Sequence, residues 1–325
     1  MAHMGCKKYV MCPMCKGAGK SASRATETTS LSIQHENANS SQVAKTQFVE
    51  VYSGTSDDLR FSTLSDSNKY PKDDSTVIYG DYVSMESDCV ETQEEFASPH
   101  EALKRAMHSL KQDQWQSSVS ALTKLMHISR IQPELLDSNM PRIYRTLCSL
   151  LRNTRPHVVR TACHIAMELY KTVQCTQRPE FDELASMLLL KSTHTNKGIR
   201  NDAQRALDSM VSHLPPATCI RILTNEHSAS HKNPLIRATI SRLLYNIINI
   251  IGVECLLSNS NLKDLRRKIF TMCAKFLLDG NNETRNDAKK TLKAMMSHPN
   301  FDSLFYQDVD SKIISSVEKQ LVSLK

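Results

Sequence analysis

A chain of 325 residues with 41 basic and 34 acidic side chains is long enough for one large domain or two small ones. No stretch comes near the ~20 apolar residues of a membrane span, and the polar N-terminus has no apolar core of signal-peptide type. Ten cysteines without a secretion signal belong in a reducing compartment, mostly as small buried side chains, so the cytoplasm is the expected location.

Charge divides the chain near residue 97. The first 97 residues carry 9 basic and 14 acidic side chains, a net of −5; the rest keep 32 of the basic and 20 of the acidic ones, a net of +12. A basic C-terminal part suits an acidic partner, whether nucleic acid, anionic lipid or an acidic protein surface.

Residues 1–97 are rich in Ser, Thr, Asn and Asp and show neither helical nor strand period. Their low apolar density does not offset the entropy of ordering a chain, which predicts a disordered polar tail. Within it, Cys12-Pro13-Met14-Cys15 with Cys6 nearby resembles half a zinc ribbon. Structural zinc needs four ligands and no second Cys-x-x-Cys follows, so no metal or other cofactor is expected. Gly5-Cys6 after Met4 hints at acylation, but Met1-Ala2-His3 precede it and Tyr9 stands where the motif has Ser or Thr.

From Ser98 the pattern becomes helix after helix. Ser98-Pro99-His100-Glu101 reads as an N-cap, a first-turn proline and a capping-box Glu. Only Gly198, Gly252 and Gly280 interrupt the remainder, and the prolines fall at helix starts or turns. The class is all-α.

An internal repeat sets the architecture. Aligned on Gln116, Arg160, Arg200, Arg237 and Arg285, the segments repeat at gaps of 44, 40, 37 and 48 residues. Apolar residues follow each marker at offsets of three, six to seven and ten, which is one stripe of an α-helix. Apolar helices at 143–151, 181–190 and 262–278 precede the polar turns. Helix pairs recurring every ~40 residues predict an α-solenoid of about six HEAT-type hairpins over 98–325, the last pair, near 299–325, closing the stack.

Turns within the pairs emerge along one edge of such a stack. Four of five carry a basic residue, including Lys111, Arg155, Lys197 and Lys232, and the fifth is followed by Arg285. Trp115, the chain's one tryptophan, sits in the first turn. It is either an interface anchor, as Trp and Arg dominate binding hot spots, or a lid over the ends of its own helices. Arg160, Arg200, Arg237 and Arg285 are expected mainly as an internal ladder, with Asp202 and Asp287 as partners, whereas Lys197 and Lys232 are better placed for contact.

No catalytic constellation stands out. His227 and His231 lack a Glu-x-x-His context, the adjacent Cys163 and His164 point to different helix faces, and no phosphate loop or nucleophile elbow occurs. The chain reads as a binding protein rather than an enzyme.

Trp115 in the first turn, Asn196-Lys197-Gly198-Ile199-Arg200-Asn201-Asp202-Ala203 in the third, and Asn282-Glu283-Thr284-Arg285-Asn286-Asp287-Ala288 in the fifth resemble TOG domains. The wording is nearest to the crescerin type, the TOG array regulators of axonemal microtubules. The resemblance covers 98–325 and implies a paddle of six HEAT pairs whose turn edge grips αβ-tubulin or microtubules. It implies that Trp115, with Arg155 and Lys197 alongside, meets β-tubulin, and that Lys232 and Arg285 reach α-tubulin. It also implies a cytoskeletal and ciliary setting. Family polymerases carry tandem TOG domains, so polymerase activity is not expected of a single one. The alternative is a HEAT scaffold binding another protein on its concave face. A nucleic-acid partner is not expected, because aromatics do not interleave with the basic residues.

Overall fold

The computed structural model describes residues 98–111, 114–173, 176–225 and 228–324. The tail, with its Cys12/Cys15 pair and Gly5, and also His227, lie outside the described residues. Among the described residues all regular structure is helical.

Thirteen α-helices follow in chain order among these residues. They are α1 (Pro99–Ser109), α2 (Trp115–Ile131), α3 (Met140–Leu151), α4 (Pro156–Leu169), α5 (Pro179–Lys191), α6 (Lys197–His213) and α7 (Pro216–Leu223). Next come α8 (Pro234–Ile251), α9 (Val253–Ser258), α10 (Lys263–Leu277), α11 (Asn282–Met296), α12 (Phe301–Asp308) and α13 (Ser311–Val322). Six hairpins result: α1–α2, α3–α4, α5–α6, α7–α8, α10–α11 and α12–α13. The expected solenoid of six pairs is present.

Proline begins five of these helices, at Pro99, Pro156, Pro179, Pro216 and Pro234, and Pro141 stands one residue inside α3. The first-turn N–H has no intrahelical acceptor, so proline loses nothing there and presets φ. The capping box at Ser98 is only half realised. Ser98 is extended and its carbonyl accepts the Ala102 N–H at 3.0 Å, but its hydroxyl makes no cap bond. Gly252 ends α8 at φ +83°, a conformation that L side chains rarely adopt, and lets the chain turn directly into α9. That six-residue helix is too short to show a period in the sequence.

The second helices pack side by side in one layer, α2 on α4, α4 on α6, α6 on α8 and α8 on α11. On the other layer α3 packs on α5, α7 on α10 and α10 on α12 and α13. The physical register of the repeat is set by the residue capping each second helix: Gln114, Arg155, Asn196, Asn233 and Asn281. Counting seven residues from each cap gives Ala121, Ala162, Ala203, Ile240 and Ala288, all buried. Mostly small side chains there let adjacent second helices approach closely. The marker alignment is therefore one residue late in the second repeat (Arg160) and two residues early in the first (Gln116 rather than Ser118); Arg200, Arg237 and Arg285 share one register.

Ten residues after the cap stand Lys124, Ile165, Ala206, Leu243 and Thr291, of which the last four are buried. That face of α4, α6, α8 and α11 meets the preceding pair, and none precedes α1 among the described residues.

Candidate protein-binding rim

The turns within the first five pairs form a continuous rim, linked one to the next by named contacts. Between turns one and two, the Arg155 guanidinium lies over the Trp115 ring, 5.3 Å from its centroid. From the second pair to the third, Arg160 Nε donates to Asp202 Oδ2 at 2.7 Å. Asn233 Nδ2 in turn four donates to Thr193 Oγ1 in turn three at 3.1 Å. Arg237 on α8 makes a two-pronged bond to the Asp279 carboxylate in turn five.

Trp115 is the first residue of α2 and is half-buried, packed in part against the core. It is therefore neither a sealed lid nor a free ring: one part anchors to the fold and another part is covered by Arg155. Burying the base of the ring fixes it at little entropic cost, which suits a contact anchor. Arg155, Lys197 and Lys232 are exposed. Lys197 and Lys232 form no ion pair among the described residues, so the rim carries open positive charge.

Arg285 differs. It is half-buried, and its Nη1 donates to the carbonyls of Asp279 at 2.6 Å and Gly280 at 2.9 Å. Arg200 bonds in the same way to His194 and Thr195, and Arg237 to His231. In all three one acceptor is the carbonyl six residues before the arginine. The ladder is thus mixed: Arg160 and Arg237 reach the next repeat, whereas Arg200 and Arg285 stay within their own turns. Asp202 is a ladder partner, but Asp287 bonds Lys290 at 3.2 Å instead.

Turns three, four and five share two further bonds. Asn196, Asn233 and Asn281 cap α6, α8 and α11, each side chain accepting a helix N–H. The residue two before each asparagine accepts that asparagine's own N–H: His194 Nδ1 at 3.0 Å, His231 Nδ1 at 3.1 Å and Asp279 Oδ1 at 2.7 Å. The pattern His/Asp-x-Asn-x-x-x-Arg stands in the sequence at all three turns, but pairing charged side chains does not reveal it, because its bonds join side chains to backbone rather than to one another.

Burial raises the Asp279 carboxyl, but bonds from Arg237 and the Asn281 N–H, with the charges of Arg237 and Arg285, outweigh it and hold the group below the usual carboxylate range. Burial pushes the thiols of Cys163, Cys219 and Cys273 up to about 12, which keeps them protonated and poor as nucleophiles at neutral pH. Ser258, Glu254 and His298 have the residue types of a hydrolytic triad but not its geometry. Ser258 and Glu254 both approach His298 Nε2, at 3.3 and 3.1 Å, while Nδ1 accepts the Asn300 N–H at 3.1 Å. A triad requires nucleophile and acid on opposite ring nitrogens. Among the described residues no three His, Cys, Asp or Glu side chains group as metal ligands, and no helix is long and apolar enough to cross a membrane.

Fold and rim together define an α-helical HEAT-type solenoid. In sequence the chain resembles the TOG array regulators of axonemal microtubules. It is 26% identical over 230 residues to TOG array regulator of axonemal microtubules protein 1 of Mus musculus, matching 71% of this chain and 13% of that protein. It is 24% identical over 227 residues to the crescerin-like protein che-12 of Caenorhabditis elegans, matching 69% of this chain and 17% of that one. The chain therefore spans less than a fifth of the length of these relatives. No protein-family profile matches it. Solved structures that overlie it include a TOG domain of C. elegans Zyg9, with TM-score 0.48, 19% identity and 67% of this chain against 80% of that one.

Proposed function

We propose that this chain is a non-catalytic binding protein whose turn rim docks on αβ-tubulin or on the microtubule lattice. The observation that carries the reading is the Arg155 guanidinium over Trp115, at one end of a rim whose linked turns expose Lys197 and Lys232. An amphipathic anchor followed by open cations suits an acidic protein surface: the ring supplies desolvated contact area and the cations steer encounter. Two relatives are named as regulators of axonemal microtubules or as crescerin-like, which supports a microtubule partner and a place in the cytoskeleton or cilium. Residues 98–325 form the TOG-like domain in this reading and 1–97 the tail. Trp115, Arg155, Lys197 and Lys232 make direct contact, and Arg285 holds the fifth turn in shape while offering its remaining edge. Co-elution of the chain with purified αβ-tubulin, lost in Trp115→Ala, tests it.

A second reading, docking of a protein segment on the face of the second helices, has one observation in its favour. A groove of about 680 Å³ lies between turn three, α8 and α11, and Leu235 in its wall is 48% exposed. Leu235→Asp would abolish partner binding in this second reading and spare it in the first.

A further inference from the structure

We infer that His194 and His231 are positioning residues for the rim, which act only as neutral imidazoles and so make the third and fourth turns sensitive to protons. The inference rests on the reading of the rim as the binding edge.

A backbone N–H can only donate, so the Nδ1 atoms that receive the Asn196 and Asn233 N–H groups must be unprotonated. Each bond closes a short loop. The histidine fixes the N–H of the asparagine, the asparagine side chain caps the helix, and the arginine four residues on returns to the histidine carbonyl. Lys197 follows the first asparagine directly, and Lys232 lies between His231 and Asn233. Both exposed lysines are thus carried by the segment that the imidazole ties down. A proton on Nδ1 replaces the acceptor with a donor facing a donor, and the turn must open.

Turn five supplies the contrast within the same molecule. There Asp279 Oδ1 receives the equivalent N–H, and a carboxylate keeps that role throughout the range in which imidazoles titrate. The repeat therefore builds one turn with two acceptors, one proton-sensitive and one not.

The His194 N–H donates to the Lys191 carbonyl and its own carbonyl accepts from Arg200 on α6, and the groove that His194 lines also holds Arg242 on α8 and Glu283, Asp287 and Lys290 on α11. Around His231 stand Lys232, Arg237 on α8 and, across Arg237, Asp279. Simple charge addition predicts the opposite outcome to positioning: two extra cations on the rim would strengthen binding to an acidic surface as pH falls.

The test compares the full chain with the double variant H194D/H231D, which copies turn five, and with H194A/H231A, each titrated with αβ-tubulin at pH 7.5 and pH 6.0. Amide exchange at Asn196 and Asn233 is followed in parallel. The expected result is at least a fivefold loss of affinity by the wild type between the two pH values. The Asp variant should bind within twofold of wild type at pH 7.5 and lose less than twofold at pH 6.0. The Ala variant should be weak at both. Parallel losses in wild type and Asp variant, or affinity that rises as pH falls, would overturn the inference. If no variant binds tubulin at either pH, the tubulin reading falls, and exchange then decides the inference on its own. Protection at Asn196 and Asn233 that drops at pH 6.0 in the wild type and holds in the Asp variant upholds it, while equal protection in both sinks it.

Discussion

Arg155, which caps α4, places its guanidinium over the ring of Trp115, the first residue of α2. Two consecutive turns thereby present one composite feature, a ring seated on the core with a cation on its face. Trp115→Ala is expected to weaken tubulin binding by about 2 kcal/mol or more, since the aromatic anchor is lost and Arg155 loses the ring that seats it. Arg155→Ala should cost about 1 kcal/mol of binding, the scale of losing one exposed cation from the contact surface. Because Arg155 is exposed, thermal melting of its variant should match wild type; a fall in melting temperature equal to that of Trp115→Ala would show the pair to be structural.

The Arg237–Asp279 bridge ties turn four to turn five. Asp279→Asn keeps an acceptor for the Asn281 N–H but leaves Arg237 without its counter-charge, and should destabilise the fold by about 2–3 kcal/mol. The pH dependence has a definite sign. The folded pKa of Asp279 is depressed, so its contribution is complete above the unfolded value near 4 and fades as pH falls through the folded one. Urea unfolding at pH 7 and pH 3 should show a smaller gap between variant and wild type at the lower pH.

Arg266 on α10 and Asp308 at the end of α12 form an ion pair with side chains 5% and 0% exposed. Asp308 Oδ1 has no hydrogen-bond partner among the described residues. Removing one partner strands a buried charge, so Asp308→Ala should cost about 3–5 kcal/mol, whereas the apolar pair Arg266→Met with Asp308→Leu should recover most of it. Chemical denaturation of the three proteins checks the order. The pair fixes how the last hairpin seats against the fifth.

The small side chains at the seventh position after each cap give a packing test. Ala203 is fully buried where α6 meets its neighbours, so Ala203→Leu should overpack the site and lower stability by about 1–3 kcal/mol, as read by urea unfolding. An unchanged midpoint would place the layer contact elsewhere.

Much of this architecture is legible in the residues because hairpins that bury one stripe must repeat it. Pro156, Pro179 and Pro234 mark helix starts, and the alanines at 162, 203 and 288 mark the contact between repeats. The register in the first two repeats was harder to read. Turn two has Arg155 where the later turns have a capping asparagine, and Arg160 imitates the later arginines while sitting one residue beyond their position. Helix α9 has no signature in the sequence because six residues show no period. The rim was visible as a row of cations and one indole. Which of those cations are occupied was not, because Arg285 and Lys232 look alike in sequence while only the former is drawn back by carbonyls of its own turn.

The most direct measurement of the central claim is the affinity of the chain for purified αβ-tubulin at low and high salt, compared with K197E/K232E. The rim account predicts a wild-type affinity that falls as salt rises, and a charge-reversed protein that melts like wild type yet binds at least tenfold more weakly at low salt. Equal affinities for the two proteins at both salt concentrations would contradict it.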